Sequence, residues 1–248
     1  MHRYKLILEY DGRPYVGWQR QENGPSIQAA LEAAAQRLCG APVTAFAAGR
    51  TDAGVHALGM CVHIDLPKAY SADAVRDALN QHMGKTNPVA ILQADEVSEE
   101  FHARFSCVGR AYEYRIINRR APLTLDEGRA WRIPVSLEVD VMHQAAQVLI
   151  GQHDFTTFRA SACQAASPVK TLNEVSVSRH GGDVIVRCAA RSFLHNQVRS
   201  IVGTLVEVGK GKWKARDVGS ALAAKDRAAC GQVAPADGLY FVRADYEF

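Results

Sequence analysis

The spacing of apolar side chains predicts six structural elements in the first hundred residues. Residues 3–10 alternate apolar and polar side chains, which is typical of a strand with one solvated face. Apolar positions then recur at helical spacing after Ser26 and again after Ser71, and serine is a favoured helix N-cap. Three more strands are predicted, at 43–48, 59–66 and 88–97. The resulting order, β-α-β-β-α-β, is that of split-βαβ, ferredoxin-like units.

The remaining residues predict a second unit of similar size. A long strand is predicted over 104–118 and a loop over 119–137. The pattern then predicts a helix capped by Asp140 and running to Leu149, and a hairpin turning at Gly181-Gly182. It further predicts a short helix over 216–225, a last strand over 239–246 and, before them, a long helix containing Leu194, Val198, Ile201 and Leu205. We therefore predict an α+β protein of two ferredoxin-like, RRM-like units with mainly antiparallel sheets that flank a basic cleft. The predicted domains are an N-terminal α/β domain, 1–105, and a C-terminal α/β domain, 106–248.

The basic residues of the chain are mostly arginines. Its 248 residues are 48% hydrophobic and 22% charged, which is ordinary for a globular protein, and the formal net charge of +3 is too small to identify a partner. However, the 29 basic residues comprise 21 arginines and 8 lysines, and the guanidinium group suits phosphate. Between 104 and 132 seven arginines stand against three acids. This bias favours a nucleic-acid partner, and a GC-rich genome, which enriches arginine codons, is an alternative explanation of equal weight. For a nucleic-acid partner, we expect phosphate contacts from this region and from Arg13 and Arg20.

Several other classes of protein are disfavoured. No apolar run approaches the ~18 residues that a membrane-spanning helix needs. The amino terminus runs directly into strand-like sequence without the pattern of a secretory signal, and no two of the six cysteines lie within four residues. We expect a cytoplasmic protein with reduced thiols and no membrane contact. His56, Cys61 and His63 are the closest approach to a metal-binding pattern, and we interpret them as ordinary strand residues.

The stretch Gly49-Arg50-Thr51-Asp52-Ala53-Gly54 is the strongest candidate for chemistry. Its glycines allow a tight turn or a close backbone approach, and Arg50 lies two residues from Asp52, where its charge favours an ionised carboxylate. An ordinary β-turn with a structural aspartate fits the same residues. A second stretch, 191–205, places His195 and Arg199 on one flank of a predicted helix. An arginine in such a position is usually a solvated or surface-paired charge, so the helix pattern by itself does not assign Arg199 a function.

Five ordered motifs resemble one known family. They are Tyr10-Asp11-Gly12 through Tyr15-Val16-Gly17-Trp18-Gln19-Arg20-Gln21, GRTDAGVHA at 49–57, Phe101-His102-Ala103-Arg104-Phe105-Ser106 with Arg110-x-Tyr112-x-Tyr114, FLHNQVRSIVG at 193–203, and Gly238-Leu239-Tyr240. Together they resemble the tRNA pseudouridine synthase A family, from residue 4 to residue 246. Gln197 stands where the family more often has Met, which puts the helix packing near Arg199 in question. Residues 159–167 match no part of the family pattern.

This resemblance implies an activity and a set of site residues. The activity is isomerisation of uridine to pseudouridine at positions 38, 39 and 40 of the tRNA anticodon stem-loop, after the base is flipped out, by a homodimer. The resemblance implies that Asp52 is the catalytic carboxylate and that Tyr112 packs against the target base. It also implies that Arg50 helps to displace this base and that Arg199 pairs with Asp52.

The reaction itself needs little besides a carboxylate. It breaks the N1–C1′ bond, turns the uracil and joins C5 to C1′, so nothing is oxidised or reduced overall. We therefore expect no cofactor and no metal. The carboxylate acts as a nucleophile or as a partner in elimination at the sugar, and the sequence leaves both routes open.

Two other functions fit parts of the sequence. A non-catalytic RNA-binding module is the main alternative, because ferredoxin-like sheets commonly bind RNA. It needs no acid in the 49–54 loop. A metal-dependent hydrolase using His56, Cys61 and His63 with Asp52 is a more distant alternative. For Tyr112, the structural alternative is a strand tyrosine in the core.

Overall fold

The computed structural model describes residues 1–247, which form two compact units. The first unit contains Met1–Val108 together with the residues from Tyr240 onward, and the second contains Gly109–Leu239. The elements up to residue 97 are β1 (His2–Tyr10), α1 (Ile27–Cys39), β2 (Ala45–Ala47), β3 (His56–Leu66), α2 (Ala72–Met83) and β4 (Val89–Val97). The predicted order of the first six elements is therefore confirmed.

The sheet of the first unit is antiparallel in the order β4-β1-β3, with β2 paired to β3. Tyr4, Leu6 and Leu8 are fully buried on one face of β1, as the alternating pattern predicts. Helices α1 and α2 pack on each other, and α2 packs on β4. Ser26 and Ser71 are the N-caps, and each hydroxyl accepts a hydrogen bond from the backbone N–H three residues later at 3.2 Å.

The strands of the second unit also pair mainly antiparallel. Its elements are β5 (Cys107–Asn118), β6 (Trp131–Ile133), α3 (Val139–Ala146), β7 (Gly151–Asp154), β8 (Val169–His180), β9 (Asp183–Ala190), α4 (Gln197–Gly209) and α5 (Ala215–Ala224). Strands β5, β9, β8 and β7 pair in that order, and β6 runs parallel to β5. The hairpin β8–β9 turns at Gly181-Gly182 as predicted, with His180 opposite Asp183. The protein is thus a mixed α/β protein with mainly antiparallel sheets.

The last strand, β10 (Leu239–Tyr246), returns the chain to the first unit. Tyr240 and Phe241 pair in parallel with His56 and Ala57 at the start of β3. The sequence-based division at residues 105 and 106 differs from these units, because it places this strand with the second domain.

Some predicted boundaries are wrong. The helix predicted from an Asp140 cap begins at Val139, its N-cap is Glu138 without a side-chain capping bond, and it gives way to a 3₁₀ turn at Gln147–Leu149. Asp140 lies in the first turn instead, where its charge is favourable to the helix dipole. The predicted loop 119–137 contains β6, and β7 was not predicted because its four residues show no alternation of apolar and polar side chains. Among residues 1–247, no helix is long and apolar enough to span a membrane.

A partly buried amide on α2 substitutes for a strand neighbour along β4. Asn80 Nδ2 donates to Ile91 O at 2.9 Å, and Ile91 N–H donates to Asn80 Oδ1 at 2.8 Å. We predict that Asn80→Ala lowers the free energy of unfolding by about 1–2 kcal/mol, since two backbone groups lose their partner and alanine's helix propensity offsets only part of this. Urea unfolding measures it, with exposed Gln81→Ala on the same helix as the control. Equal stability of the two variants would contradict the prediction.

Candidate active site

Asp52 lies in the loop between β2 and β3, where main-chain contacts fix its backbone. It forms an isolated antiparallel bridge with Gly17, and Trp18 N–H donates to Thr51 O at 3.0 Å. Val55 N–H donates to Asp52 O at 3.1 Å, which closes a turn through Gly54 at φ 78°. This positive φ is a conformation that glycine adopts at little cost. The loop is therefore held both within itself and by the segment that follows β1.

Two glycines allow this segment to lie directly on the loop. A Cβ at Gly12 would overlap Val55 O, and a Cβ at Gly17 would lie 2.6 Å from Thr51 O. Gly17 also has φ 118°, which L-residues rarely adopt. Residues 12 and 17 must therefore be glycine for the backbones to approach this closely, which accounts for both glycines in the first motif.

Buried polar side chains support the same loop. Tyr10 Oη and Thr51 Oγ1 share a hydrogen bond of 2.8 Å. His56, only 2% exposed, accepts from Gly12 N–H at Nδ1 (3.1 Å) and stacks on Tyr240 with ring centroids 4.8 Å apart. The last strand thus contacts the end of the Asp52 loop within the first unit.

Asp11 is an ionised partner of these supports. Arg13 donates to Asp11 Oδ1 from both its backbone N–H (3.1 Å) and its Nε (2.9 Å). Burial alone would raise the pKa of Asp11, but the hydrogen bonds from Arg13 outweigh it and lower this pKa to about 2.

The two predicted residues of the loop differ in exposure. Asp52 is partly buried, and Arg50 is exposed. A partly buried carboxylate retains access to a substrate from solvent while most of its loop is fixed. Both residues belong to the first unit, whereas Tyr112 and Arg199 belong to the second.

Tyr112 and Phe193, from two different motifs, meet in the second unit. Tyr112 lies on β5 opposite Cys188 of β9, and its ring contacts Phe193 edge to face, with centroids 5.2 Å apart. Its neighbour on the same side of the strand, Tyr114, is fully buried and donates to Pro235 O at 2.8 Å, and burial raises the pKa of Tyr114. Tyr114 is thus a core tyrosine, while Tyr112 is only partly buried.

Arg199 lies in the first turn of α4, and backbone and side-chain acceptors hold it in place. Its Nε donates to Ala234 O at 2.7 Å and its Nη1 to Asn196 Oδ1 at 3.0 Å. Ala234 N–H donates in return to Arg199 O at 3.0 Å. Asn196 has φ 62°, a left-handed conformation that asparagine tolerates better than most residues. Both side-chain bonds are to uncharged acceptors, and the predicted pairing of Arg199 with Asp52 stays a prediction.

Comparison with known proteins identifies the family. The model of a family described as "tRNA pseudouridine synthase" matches residues 6–106 and 145–247. The chain belongs to this family. The resemblance inferred from the five motifs is confirmed, and the matched ranges contain Arg50, Asp52 and Arg199, while Tyr112 lies between them.

Similar proteins extend over the whole chain. Proteins named "tRNA pseudouridine synthase A" from Maricaulis maris, Parvibaculum lavamentivorans and Rhodospirillum centenum are 61%, 60% and 59% identical. The alignments cover 99%, 100% and 99% of this chain and 98%, 100% and 100% of those proteins. Among solved structures, a chain of "Crystal Structure of a Cbf5-Nop10-Gar1 Complex" matches at 12% identity with a TM-score of 0.36, covering 96% of this chain and 57% of that one. That likeness is too weak to carry an argument.

Gln197, whose packing the sequence analysis questioned, is accommodated in the turn before α4. Gln197 is fully buried, and its Oε1 accepts from Leu194 N–H at 2.8 Å. Its Nε2 has no hydrogen-bond partner among the described residues. The amide thus closes the turn that precedes α4, at the cost of one unsatisfied donor.

The metal-hydrolase alternative finds no ligand set in this synthase-family chain. His63 Nδ1 accepts from Ala103 N–H at 3.1 Å, and burial lowers the pKa of His63 to about 4. Burial raises the pKa of the Cys61 thiol to about 11. Within residues 1–247, no three His, Cys, Asp or Glu side chains form a group that could hold a metal ion.

The sequence analysis missed Asp11 and His56 as supports of the Asp52 loop. Both stand in the motifs quoted for the synthase family, Asp11 beside Gly12 and His56 two residues after Gly54, and this proximity was the available signal. Two of the predicted phosphate ligands have other partners. Arg13 pairs with Asp11 at 2.5 Å, and Arg20 pairs with the buried carboxylate of Glu32.

We predict that Gly17→Ala destabilises the protein by about 3 kcal/mol or more, because the new methyl group meets backbone atoms at an unfavourable φ. Gly182→Ala is the matched control, since a Cβ there meets nothing within 4 Å. Thermal and urea unfolding of both variants measure the difference. A Gly17→Ala variant as stable as Gly182→Ala would show that the loop contact is looser than described.

The depressed pKa of Asp11 predicts a pH dependence of stability. An aspartate with a folded-state pKa near 2 stabilises the fold at pH values above its unfolded pKa of about 4, and this contribution is lost as the pH falls toward 2. We expect Asp11→Asn to lower the free energy of unfolding by about 1–2 kcal/mol at neutral pH. This figure allows for screening of the ion pair by solvent, because Arg13 is partly exposed. Urea unfolding between pH 7 and pH 3 should show this difference shrinking below pH 4. A difference that is constant with pH would refute the ion pair.

Proposed function

We propose that this protein is a tRNA pseudouridine synthase, an isomerase that converts uridine to pseudouridine at positions 38, 39 and 40 of the anticodon stem-loop. The observation that carries the proposal is the fixed loop of Asp52 in a chain that belongs to this family. The bridge to Gly17 and the turn to Val55 hold one partly buried carboxylate in a defined backbone position. Catalysis by a single carboxylate requires such pre-organisation.

The chemistry balances without any added reactant. The N1–C1′ bond breaks, the uracil turns, C5 bonds to C1′, the proton on C5 is lost and N1 gains a proton. Asp52 acts at the sugar, as nucleophile on C1′ or as partner in elimination, and is regenerated in either case. No electrons enter or leave, so a cofactor has no step to perform.

The other site residues have proposed roles in presenting the base. A uridine in a stem-loop must be extruded before its C1′ is accessible, at a cost of a few kcal/mol. Tyr112 would recover part of this by packing against the uracil, since stacking on an aromatic ring contributes about 1–3 kcal/mol per base. The edge-to-face contact with Phe193 holds the Tyr112 ring in position. Arg50, exposed on the Asp52 loop, would help to displace the base, and Arg199 would pair with Asp52.

The proposed architecture follows the same division of roles. We propose that an N-terminal domain, 1–105, carries Asp52 and that a C-terminal domain, 106–248, supplies Tyr112 and Arg199, both domains being ferredoxin-like and flanking a basic cleft. The first unit supports this with its antiparallel strand order β4-β1-β3-β2. We further propose a cytoplasmic homodimer, which analytical ultracentrifugation would test.

The main alternative is a non-catalytic RNA-binding module. Such a module would use the sheets and arginines equally well but would have no need of the carboxylate. The effect of replacing Asp52 on pseudouridine formation therefore distinguishes the two functions.

We predict that Asp52→Ala abolishes pseudouridine formation, with a loss of about 10³-fold or more in rate, while the Kd for tRNA changes by no more than about threefold. Single-turnover assays with unmodified tRNA and a filter-binding titration measure the two quantities. Asp73→Asn is the control, because Asp73 is an exposed carboxylate on α2. Substantial turnover by Asp52→Ala would reject the catalytic role.

A further inference from the structure

A second feature of the molecule, outside the candidate active site, is a concave basic surface at the end of β5 in the second unit. Its volume is about 620 Å³, and its lining includes Asn118, Arg119, Arg120, Leu137, Glu138 and Arg179. We call it the Arg119–Arg120 surface. Most of it lies in the segment 107–144, between the two ranges that match the family.

Asn118 builds the framework of this surface. Its Nδ2 donates to Ile133 O at 2.9 Å and to Val135 O at 2.6 Å, and its Oδ1 accepts from Leu137 N–H at 3.2 Å. One side chain therefore ties the end of β5 to the strand and loop that form the opposite wall. The concavity is held by hydrogen bonds rather than by apolar packing.

The arginines of the surface interact with neutral acceptors. Arg179 Nη2 donates to Asn118 Oδ1 (3.1 Å) and to Leu137 O (3.0 Å), and Arg119 Nη2 donates to Pro122 O (2.9 Å). Within residues 1–247, neither these two nor Arg120 forms an ion pair with a carboxylate. Three arginines thus line one concavity, and among the described residues none of them is in an ion pair.

A neighbour on the same strand shows that this is a local property. Arg115, also on β5, pairs with Asp126 at 2.6 Å and with Asp183 at 2.9 Å. Glu138 is the one carboxylate among the residues lining the surface. An adjoining depression of about 520 Å³ shares Glu138 and Arg179 and adds Asp140, so the positive charge is concentrated on the side of Arg119 and Arg120.

The chemistry of the lining selects the kind of ligand. Small-molecule sites of this size are mostly apolar with a few polar groups, whereas three of the eight residues that line this surface are arginines. Guanidinium groups bind phosphate oxygens in a forked geometry, and RNA backbones present such oxygens in series along an open surface. We infer that the Arg119–Arg120 surface binds phosphodiester groups of the tRNA backbone, away from the nucleotide that is modified. This inference rests on the proposed function.

The double variant Arg119→Gln/Arg120→Gln tests the inference. If each arginine contacts a phosphate, the slope of log K for tRNA against log salt becomes shallower by about 1–2, and the Kd rises about tenfold or more at 0.1 M salt. The rate at saturating tRNA stays within about twofold, because these residues bind backbone and not the reacting base. Urea unfolding checks that the variant is folded, as expected for two exposed side chains.

The control is Arg76→Gln/Arg216→Gln, which changes the net charge equally. Arg76 is paired with Asp73 at 2.9 Å, and Arg216 is an exposed residue of α5 near Asp217. We expect this variant to keep the wild-type salt slope and a Kd within about threefold. Equal slopes and affinities for the two double variants would overturn the inference.

Titration with inorganic phosphate at constant ionic strength separates an RNA-backbone site from a site for free anions. We expect no saturable binding of inorganic phosphate below millimolar concentrations. Saturable binding that the double variant abolishes, with the tRNA slope unchanged, would overturn the assignment to RNA. The proposed function fails by a different result, namely pseudouridine formation by Asp52→Ala, so the two failures are distinguishable.

Discussion

The close approach of two backbones, residues 12–18 against residues 51–55, is the contact on which the candidate site depends. No side chain separates them, because Gly12 and Gly17 stand where a Cβ would meet Val55 O or Thr51 O. The contact places Asp52 in a main-chain bridge, so backbone hydrogen bonds set the position from which its side chain leaves the loop. A group positioned in this way loses little entropy when it meets a substrate, and such pre-organisation is where most catalytic advantage arises.

The same contact explains why motifs far apart in the chain occur together. The motif at 10–21 supplies the backbone that lies on the loop, and Tyr10 bonds to Thr51. The motif at 238–240 reaches the loop through Tyr240, which stacks on His56. Residue 238 is glycine for a different reason, because a Cβ there would lie 2.6 Å from the Tyr114 ring. Motif residues without a catalytic side chain are therefore constrained by packing, either around the Asp52 loop or against Tyr114 on β5.

Regular periodicity made much of the fold predictable, and its absence explains the errors. The alternation in β1, the serine caps of α1 and α2, and the Gly181-Gly182 hairpin are local signals, and the structure contains all of them. Strands β6 and β7 have three and four residues, too few to show a period, and they form only because a longer neighbour pairs with them. The bond between Gly12 and His56 and the return of β10 to β3 join residues far apart in the chain, which no local pattern encodes.

The sequence does not show which arginines are neutralised by a neighbouring carboxylate in the folded chain. Counting arginines between 104 and 132 treats them as equivalent, yet Arg115 is neutralised by two aspartates while Arg119 and Arg120 have no acidic partner within the described chain. Arg13 and Arg20 likewise form ion pairs, with Asp11 and Glu32 respectively. A paired guanidinium offers little net attraction to a polyanion, because phosphate would have to displace a carboxylate that is already in place. The arginines that remain uncompensated are therefore the ones whose positions carry information about RNA, and only the folded chain distinguishes them.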